Sequence, residues 1–585
     1  MAAWARRVRY GGAGRLTPVT GEIPWSPSHV PRSPFPDTIC GMADAVAERG
    51  DVARRASSGL AIAAAIVAAG FLGSRLLGVL RTVAIANAFG SSPNLDAYNV
   101  AFRIPDLIFQ VLAGATLGSA FIPVFARLMR REGEDEAWRL ASTVLNLITV
   151  ATAVLCGIAF LLAPLLVPVL APGLAHEPGV HGDLEAKAVE LTRIMLLSPL
   201  LFAMSGMVTG ILNGRQRFFL SALSPMLYNL AIIAGAVFLA GPFGVEGLAV
   251  GVVVGSGLHL LIQVPGLFHE RMKYSWNFNW RDPATREVAR LMAPRIVGLA
   301  AAQVNFLITI YFGSKLAAGT ISNLTYAWLL AGLPLALFGM AFSTAVFPRL
   351  ADHAADEDFE ALRATVSRVL RVIMFMTIPA ALGLAFLRYP ATVLLLQRGE
   401  FGPHAAAVTA AALGFYCIGI VPQAGIEIHS RGFYAMGDTR TPVLIAVLAV
   451  AVNLVLSALL WKRYEHEGLA FSVSAASWLE WTLLYSAFTR RTGASMWGDL
   501  SAIARFAVCG AIMTLFLSLG FHWFDGGGRL DFGIVAICGA ISGVIVYTAA
   551  AHAMGIHELR DARQRVMGRI GRGSPDGDVE LRTVD

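Results

Sequence analysis

Residues 70–127 read GFLGSRLLGVLRTVAIANAFGSSPNLDAYNVAFRIPDLIFQVLAGATLGSAFIPVFAR. Two segments here are apolar enough to cross a bilayer, yet they carry Arg75, Arg81, Asp96, Arg103 and Asp106. A charge at membrane depth costs about 2.5–3.5 kcal/mol by insertion scales, so it faces a partner or a watery cavity and marks a functional pathway. On the second segment Asp96, Asn99, Arg103, Asp106 and Gln110 recur at steps of three and four, which puts them on one helical stripe. A polar stripe of that length cannot face lipid. Pro105 interrupts the backbone ladder within it, which is tolerated where a bent helix borders a cavity. On the first segment Arg75, Gly78 and Thr82 share a face, with Ser74 and Arg81 on an adjacent one. Three arginines against two carboxylates leave this wall positive, and the planar guanidinium fork fits phosphate oxygens. The expected cavity wall is therefore Ser74, Arg75, Arg81, Asp96, Asn99, Arg103, Asp106 and Gln110, and the expected cargo is an anion.

The rest of the chain places this wall in a membrane. With 56% hydrophobic and 15% charged residues in 585, the composition excludes an ordinary soluble globule. The net charge of +7 does not argue for nucleic acid. The basic residues sit between apolar blocks, as in the cytoplasmic loops of membrane proteins, rather than along one face. Cys40, Cys156, Cys417, Cys509 and Cys538 are scattered and form no metal-ligand or redox spacing. Neither a phosphate-cradling glycine loop nor a clustered catalytic set is present, so no enzymatic activity and no cofactor is expected.

The apolar blocks predict an all-α polytopic fold of about fourteen spans. Connectors after even-numbered spans hold most of the Lys and Arg, including Arg127, Arg130, Arg131, Arg215, Arg217, Arg490 and Arg491. The positive-inside rule then puts both termini in the cytoplasm. The chain also repeats. Phe89-Gly90 and Phe312-Gly313, Asn213-Gly214 and Met436-Gly437, Asn229 and Asn453, and Pro123 and Pro348 all lie 223–225 positions apart. The predicted organisation is a disordered cytoplasmic arm over 1–58, with Met42 as an alternative start, then spans 1–6 in an N-lobe over 59–270. Spans 7–12 form a C-lobe over 285–490, spans 13–14 occupy 499–556, and a basic tail follows over 557–585. Two such parallel copies are expected to enclose a central cavity and to alternate its access.

Other membrane-depth polar groups are less decisive. Gln303 and Asn305 on the seventh span read equally as cavity-facing groups or as interhelical hydrogen bonds. Glu427 and His429 read as a solvated helix tip late in the tenth span, with Glu427 also a candidate for a secondary cavity wall. Glu480 in the twelfth span has no partner evident from spacing, which raises a proton- or cation-coupling role.

Several motifs together resemble the MurJ (MviN) lipid II flippase family of the multidrug/oligosaccharidyl-lipid/polysaccharide exporter superfamily. They are Ser74-Arg-Leu-Leu-Gly-Val-Leu-Arg81, Asp96-Ala-Tyr, Arg103-Ile-Pro-Asp106, Gly210-Ile-Leu-Asn-Gly-Arg-Gln-Arg-Phe218 and Tyr434-Ala-Met-Gly-Asp-Thr-Arg-Thr-Pro442. The resemblance implies a bacterial inner-membrane protein that moves an undecaprenyl-pyrophosphate-linked peptidoglycan precursor, lipid II, to the outer leaflet. It also implies that Arg75, Arg81, Asp96 and Arg103 serve the cavity, and that cell-wall synthesis proteins are among its partners. An ion gradient or the membrane potential would supply the drive. Two departures stand out: Phe109-Gln110 where the family commonly has an arginine, and Trp328-Leu329 where it carries an Asp-Arg pair. They keep two alternatives open, an exporter of another lipid-linked glycan or drug, and a non-transporting cell-wall scaffold.

Overall fold

A computed structural model of the chain describes residues 70, 72–112, 115–174, 183–493, 496–521 and 528–559. The expected N-terminal arm, the alternative start at Met42, Cys40 and the basic tail beyond residue 559 lie outside the described residues. Among these, every regular element is helical. Helix α1 covers 72–89, followed by α2 (Pro93–Leu112), α3 (Ala115–Arg131), α4 (Glu134–Leu170), α5 (Leu184–Met195) and α6 (Leu197–Gly214). Next come α7 (Phe218–Ala234), α8 (Ala240–Leu261) and α9 (Val264–His269). The second half has α10 (Pro283–Gly313), α11 (Thr320–Pro334), α12 (Ala341–Ala355), α13 (Phe359–Phe386), α14 (Arg388–Leu396), α15 (Pro403–Ala435) and α16 (Arg440–Thr492). Helices α17 (Met496–Phe521) and α18 (Arg529–Ala553) complete the bundle.

Nine helical stretches among the described residues are long and apolar enough to cross a bilayer. Two of them are double. Phe218–His269 breaks at Gly244 (φ 60°) and Arg440–Thr492 breaks at Glu465 (φ 44°), so each turns back as two antiparallel helices. Large apolar side chains cover the outside: Leu161, Leu165 and Val169 on α4, Phe238 beside α8, Leu519 on α17 and Leu530 on α18 are all mostly exposed. Water would penalise such a continuous apolar surface, whereas acyl chains do not, so this is a multi-pass membrane protein.

The backbone repeats as the sequence does. Left-handed residues occur in pairs 221–224 positions apart: Gly133 and Glu357, Gln216 and Gly437, Gly244 and Glu465, Arg271 and Gly493. Each marks the end or the break of a helix, so the pairs show one sequence of helix ends used twice. The two halves also touch at equivalent positions. Asp96 contacts Gly319 and Asn99 contacts Ser322, both 223 residues apart. Self-matching contacts of this kind arise where a two-fold axis passes between related units.

Within the second half, glycines let helices approach closely. On α15, Gly419, Gly425 and Gly432 seat Ser474, Trp481 and Phe488 of α16, whose seven-residue spacing keeps them on one seam. Small residues at a helix interface are how membrane helices gain packing when lipid offers no hydrophobic drive. Helices α17 and α18 pack on α13, where Phe375 meets both Phe506 (5.5 Å between ring centres) and Tyr547 (5.3 Å).

At the basic end of the first half, Glu270 ties the α6–α7 turn to α9. It accepts from Arg215 Nε (2.7 Å) and Arg217 Nε (2.9 Å), and its side chain is only 8% exposed. Burial alone would push its carboxyl up, but the two arginines outweigh this and hold it below the usual carboxylate range. A carboxyl depressed on folding stabilises above its unfolded pKa, about 4.3, and loses that contribution as pH falls through the folded value. Replacing Glu270 by Gln is expected to cost roughly 1–3 kcal/mol at neutral pH. In melts of the purified protein, the gap between wild type and Glu270→Gln should close on acidification below about pH 4. A gap that widens there would contradict the assignment.

Candidate functional site: a charged cavity between the halves

The polar stripe on α2 divides between two sites. Its N-terminal end closes a seam between the halves. Asp96, 2% exposed, accepts from the backbone N–H of Gly319 (2.8 Å), the backbone N–H of Ser322 (2.7 Å) and the Ser322 hydroxyl (2.5 Å). Asp96 thus caps the first turn of α11 from across the halves, supplying the acceptor and the negative charge that helix starts require. Asn99 donates from Nδ2 to the Ser322 hydroxyl at 3.0 Å. These two residues are therefore engaged in the seam and are not part of the cavity wall described next.

Around them the backbone of one half lies directly on the backbone of the other. A Cβ on Gly319 (φ 83°) would sit 2.1 Å from the Ser91 carbonyl oxygen, and one on Gly399 (φ 51°) 2.2 Å from that of Asn87. Both positions need a left-handed backbone as well as the missing side chain. The Tyr326 hydroxyl donates to the Gly90 carbonyl at 2.9 Å, and the Glu400 N–H to the Asn87 carbonyl at 3.0 Å. At the other end of the bundle Arg127 of α3 pairs with Glu287 of α10, while Val288 and Met292 of α10 bury in the first half's core.

From the middle of the stripe Arg103 reaches a cavity of about 330 Å³ that α10, α11, α15 and α16 of the second half otherwise line. Arg103 enters it from α2, paired with Asp106 at 3.3 Å and laid over the Phe306 ring at 4.6 Å. Its Nε–H is buried with no hydrogen-bond partner, so the guanidinium keeps a donor in reserve. Asp106 also takes a hydrogen bond from Gln110. One wall is aromatic: Phe306 meets Trp328 at 5.6 Å and Trp328 meets Tyr416 at 5.4 Å, both edge-on. The other end is polar and acidic, with Gln423 and Glu427 from α15 and Ser477 and Glu480 from α16.

The remaining expected residues fall as follows. Arg75 is exposed and Arg81 half-buried on α1, near Tyr98 and Tyr228, and neither lines this cavity. The Ser74 carbonyl accepts from Asn229 Nδ2 at 3.4 Å. Gln303 is buried with its Oε1 unpartnered. Asn305 lines the cavity, and its Oδ1 also accepts from Asn453 Nδ2 at 2.9 Å. Glu427 lines the cavity, paired with Arg431 one turn on, whose Nη2 also donates to the Thr344 hydroxyl of α12. His429 is buried, its ring bonded to the Gly425 carbonyl, and is not a solvated tip. Phe109, standing where an arginine was expected, packs against Phe202 with ring centres 4.9 Å apart and planes tilted by 42°. Trp328, standing where a charged pair was expected, forms the aromatic wall. Thr309, Thr325, Gln423 and Ser477 went unnoticed in the sequence, since single neutral polar residues in apolar helices carry no periodic signal.

These elements define an all-helical, multi-pass membrane bundle of two related halves with a charged cavity. Its fold matches an inward-facing multidrug resistance MATE family transporter of the MOP superfamily with TM-score 0.60, at 16% identity over 72% of this chain and 94% of the other. A structure of lipid II flippase MurJ in an inward closed conformation matches with TM-score 0.71, at 23% identity over 83% of this chain and 99% of that one. A family model described as lipid II flippase MurJ matches residues 85–530. The lipid II flippase MurJ of Burkholderia cenocepacia is 34% identical over 424 residues, 72% of this chain and 81% of that protein. The probable lipid II flippase MurJ of Rhizobium meliloti is 29% identical over 532 residues, 88% of this chain and 97% of its own length. The chain belongs to the lipid II flippase MurJ family.

Proposed function

We propose that this protein moves lipid II, an undecaprenyl-pyrophosphate-linked precursor of peptidoglycan, across the bacterial inner membrane by alternating access. The observation that carries the reading is Arg103, held in the cavity by Asp106 and Phe306 with a buried N–H still unpartnered. In a family named for lipid II, that group is suited to the pyrophosphate oxygens. The 330 Å³ cavity lies at the bottom of the range that holds drug-sized ligands, so a disaccharide-peptide headgroup requires the halves to part. Opening the seam at Asp96 would then release the headgroup on one side, and parting α3 from α10 would admit it on the other. Arg75 and Arg81 on α1 meet the cargo as the cavity widens.

The lobes are residues 59–270 and 285–490, with 499–556 appended. The charged helices α1, α2–α3 and α10 span as well, making fourteen crossings with both termini cytoplasmic and the Asp96 seam at the outer face. An apolar crevice of about 630 Å³ between α13, α14, α17 and α18, lined by residues such as Phe375, Leu387, Met513 and Ile541, suits the prenyl tail. Cell-wall synthesis proteins are the expected neighbours.

The test is complementation of a strain depleted of its own lipid II flippase. Wild type should restore growth; Arg103→Ala should fail at wild-type protein levels, and Arg103→Lys should rescue only in part, since an ammonium lacks the planar fork. Rescue by Arg103→Ala equal to wild type would remove Arg103 from the cargo path. Failure of wild type itself would reject lipid II as the cargo.

A further inference from the structure

Two of the three charged side chains that line the cavity are balanced. Arg103 has Asp106, and Glu427 has Arg431, whose Nη1 also donates to the Glu427 carbonyl at 3.1 Å. Glu480 has no hydrogen-bond or ion-pair partner among the described residues, although it lines the same cavity in the middle of an apolar helix. A bare carboxylate at membrane depth is costly unless water, a cation or a proton answers it.

The surroundings of Glu480 narrow the choice. From α15 it faces Glu427, with Arg431 behind it already engaged by Glu427 and Thr344, together with Tyr416 and Tyr434. Arg103 from α2 is the cation that shares the cavity. Helices α10 and α11 bring only neutral groups, Asn305, Thr309, Thr325 and Trp328, and α13 and α17 bring none to this wall. The oxygen ligands here come to two carboxylates and a few neutral side chains, and one carboxylate is taken by Arg431. That is a poor cage for a metal ion, which takes about six oxygen ligands or more, and an adequate one for a proton with its water.

We propose that Glu480 is the proton carrier of the transport cycle, taking one proton from water on one side of the membrane and releasing it on the other. The inference rests on the transport reading given above and names its driving ion. With Glu480 ionised, the acidic end of the cavity attracts Arg103 across the halves and favours the closed arrangement. When an anionic cargo takes up Arg103, that attraction is lost; Glu480 then accepts a proton and becomes neutral, with no bond other than O–H made or broken. Cargo and proton thus bind preferentially to the same arrangement, which is the requirement for coupling.

The test uses the full chain in vesicles of phosphatidylethanolamine and phosphatidylglycerol, with a fluorescent undecaprenyl-pyrophosphate glycolipid as probe. For one proton per cycle, a one-unit pH difference should bias the final distribution of probe between leaflets by about tenfold. Glu480→Gln should still exchange probe but show no bias, and Glu480→Asp should restore it in part. An independent reading is the infrared carbonyl stretch of a protonated carboxyl in the purified protein, which should titrate in wild type and be lost in Glu480→Gln. Bias that survives Glu480→Gln, a titrating band that persists in it, or bias from a sodium gradient at constant pH would each overturn the proposal. If wild type moves no probe while the Glu480 band is present, the cargo assignment fails and the protonation site stands.

Discussion

Asp96→Ala should open the seam between the two halves. The carboxylate accepts two backbone N–H groups and one hydroxyl from the start of α11, and it is almost completely buried. Hydrogen bonds to a charged group contribute about 1.5–3 kcal/mol each, and the orphaned donors add desolvation cost unless water reaches them. Water can reach them only if the seam parts, so the loss appears mainly as a shift in the open–closed balance. A conservative net of about 3 kcal/mol is a shift of roughly 150-fold. A cysteine placed at Ala86, fully buried in the core that Tyr326 and Phe401 of the other half share with it, should then react much faster with a membrane-impermeant thiol reagent. Asp96→Asn should give an intermediate rate, because an amide can accept from Ser322 but turns a donor toward the Gly319 N–H. Equal labelling in all three proteins would mean that Asp96 does not hold the seam.

Gly425→Ala should destabilise the second half without touching a charged group. The added Cβ would lie 2.2 Å from Trp481 Nε1 and 2.4 Å from Cε2, inside any real contact distance. Trp481 is buried between α15 and α16 and cannot swing away, since Tyr485 follows it on one side and Trp478 precedes it on the other. Overpacking of this kind costs about 1–3 kcal/mol. The check is a double-mutant cycle on thermal stability. Trp481→Phe alone leaves a gap, and Gly425→Ala alone creates a clash, but the pair should be more stable than the sum of the two losses. Strict additivity would show that the helices separate rather than pack against the new methyl.

Much of this architecture was legible before any coordinates. Apolar segments separated by Gly, Pro and basic connectors announced the spans, and landmarks 223–225 residues apart announced the two copies. The reason is physical: lipid demands continuous apolar helices, and a duplicated unit keeps its turn residues at a constant offset. The α2 stripe was likewise legible, because helical spacing alone puts Asp96, Asn99, Arg103 and Asp106 on one side. What spacing could not reveal was that this one side meets two different environments along its length. Asp96 meets a helix start, whereas Arg103, two turns on, meets a cavity. In hindsight the repeat held the hint, since Gly319 stands 223 residues after Asp96.

The sequence by itself determined that this is an all-helical, duplicated membrane protein with arginines and carboxylates placed deep among apolar residues, because those properties follow from composition and period. Only the tertiary structure decided which charges are matched. Asp96 is satisfied by backbone from the other half, Arg103 by Asp106 and an aromatic ring, Glu427 by Arg431, and Glu480 by no protein group among the described residues. Pairing depends on distances between helices that lie far apart along the chain. No local pattern encodes those distances, and the packing of glycine seams and aromatic walls sets them.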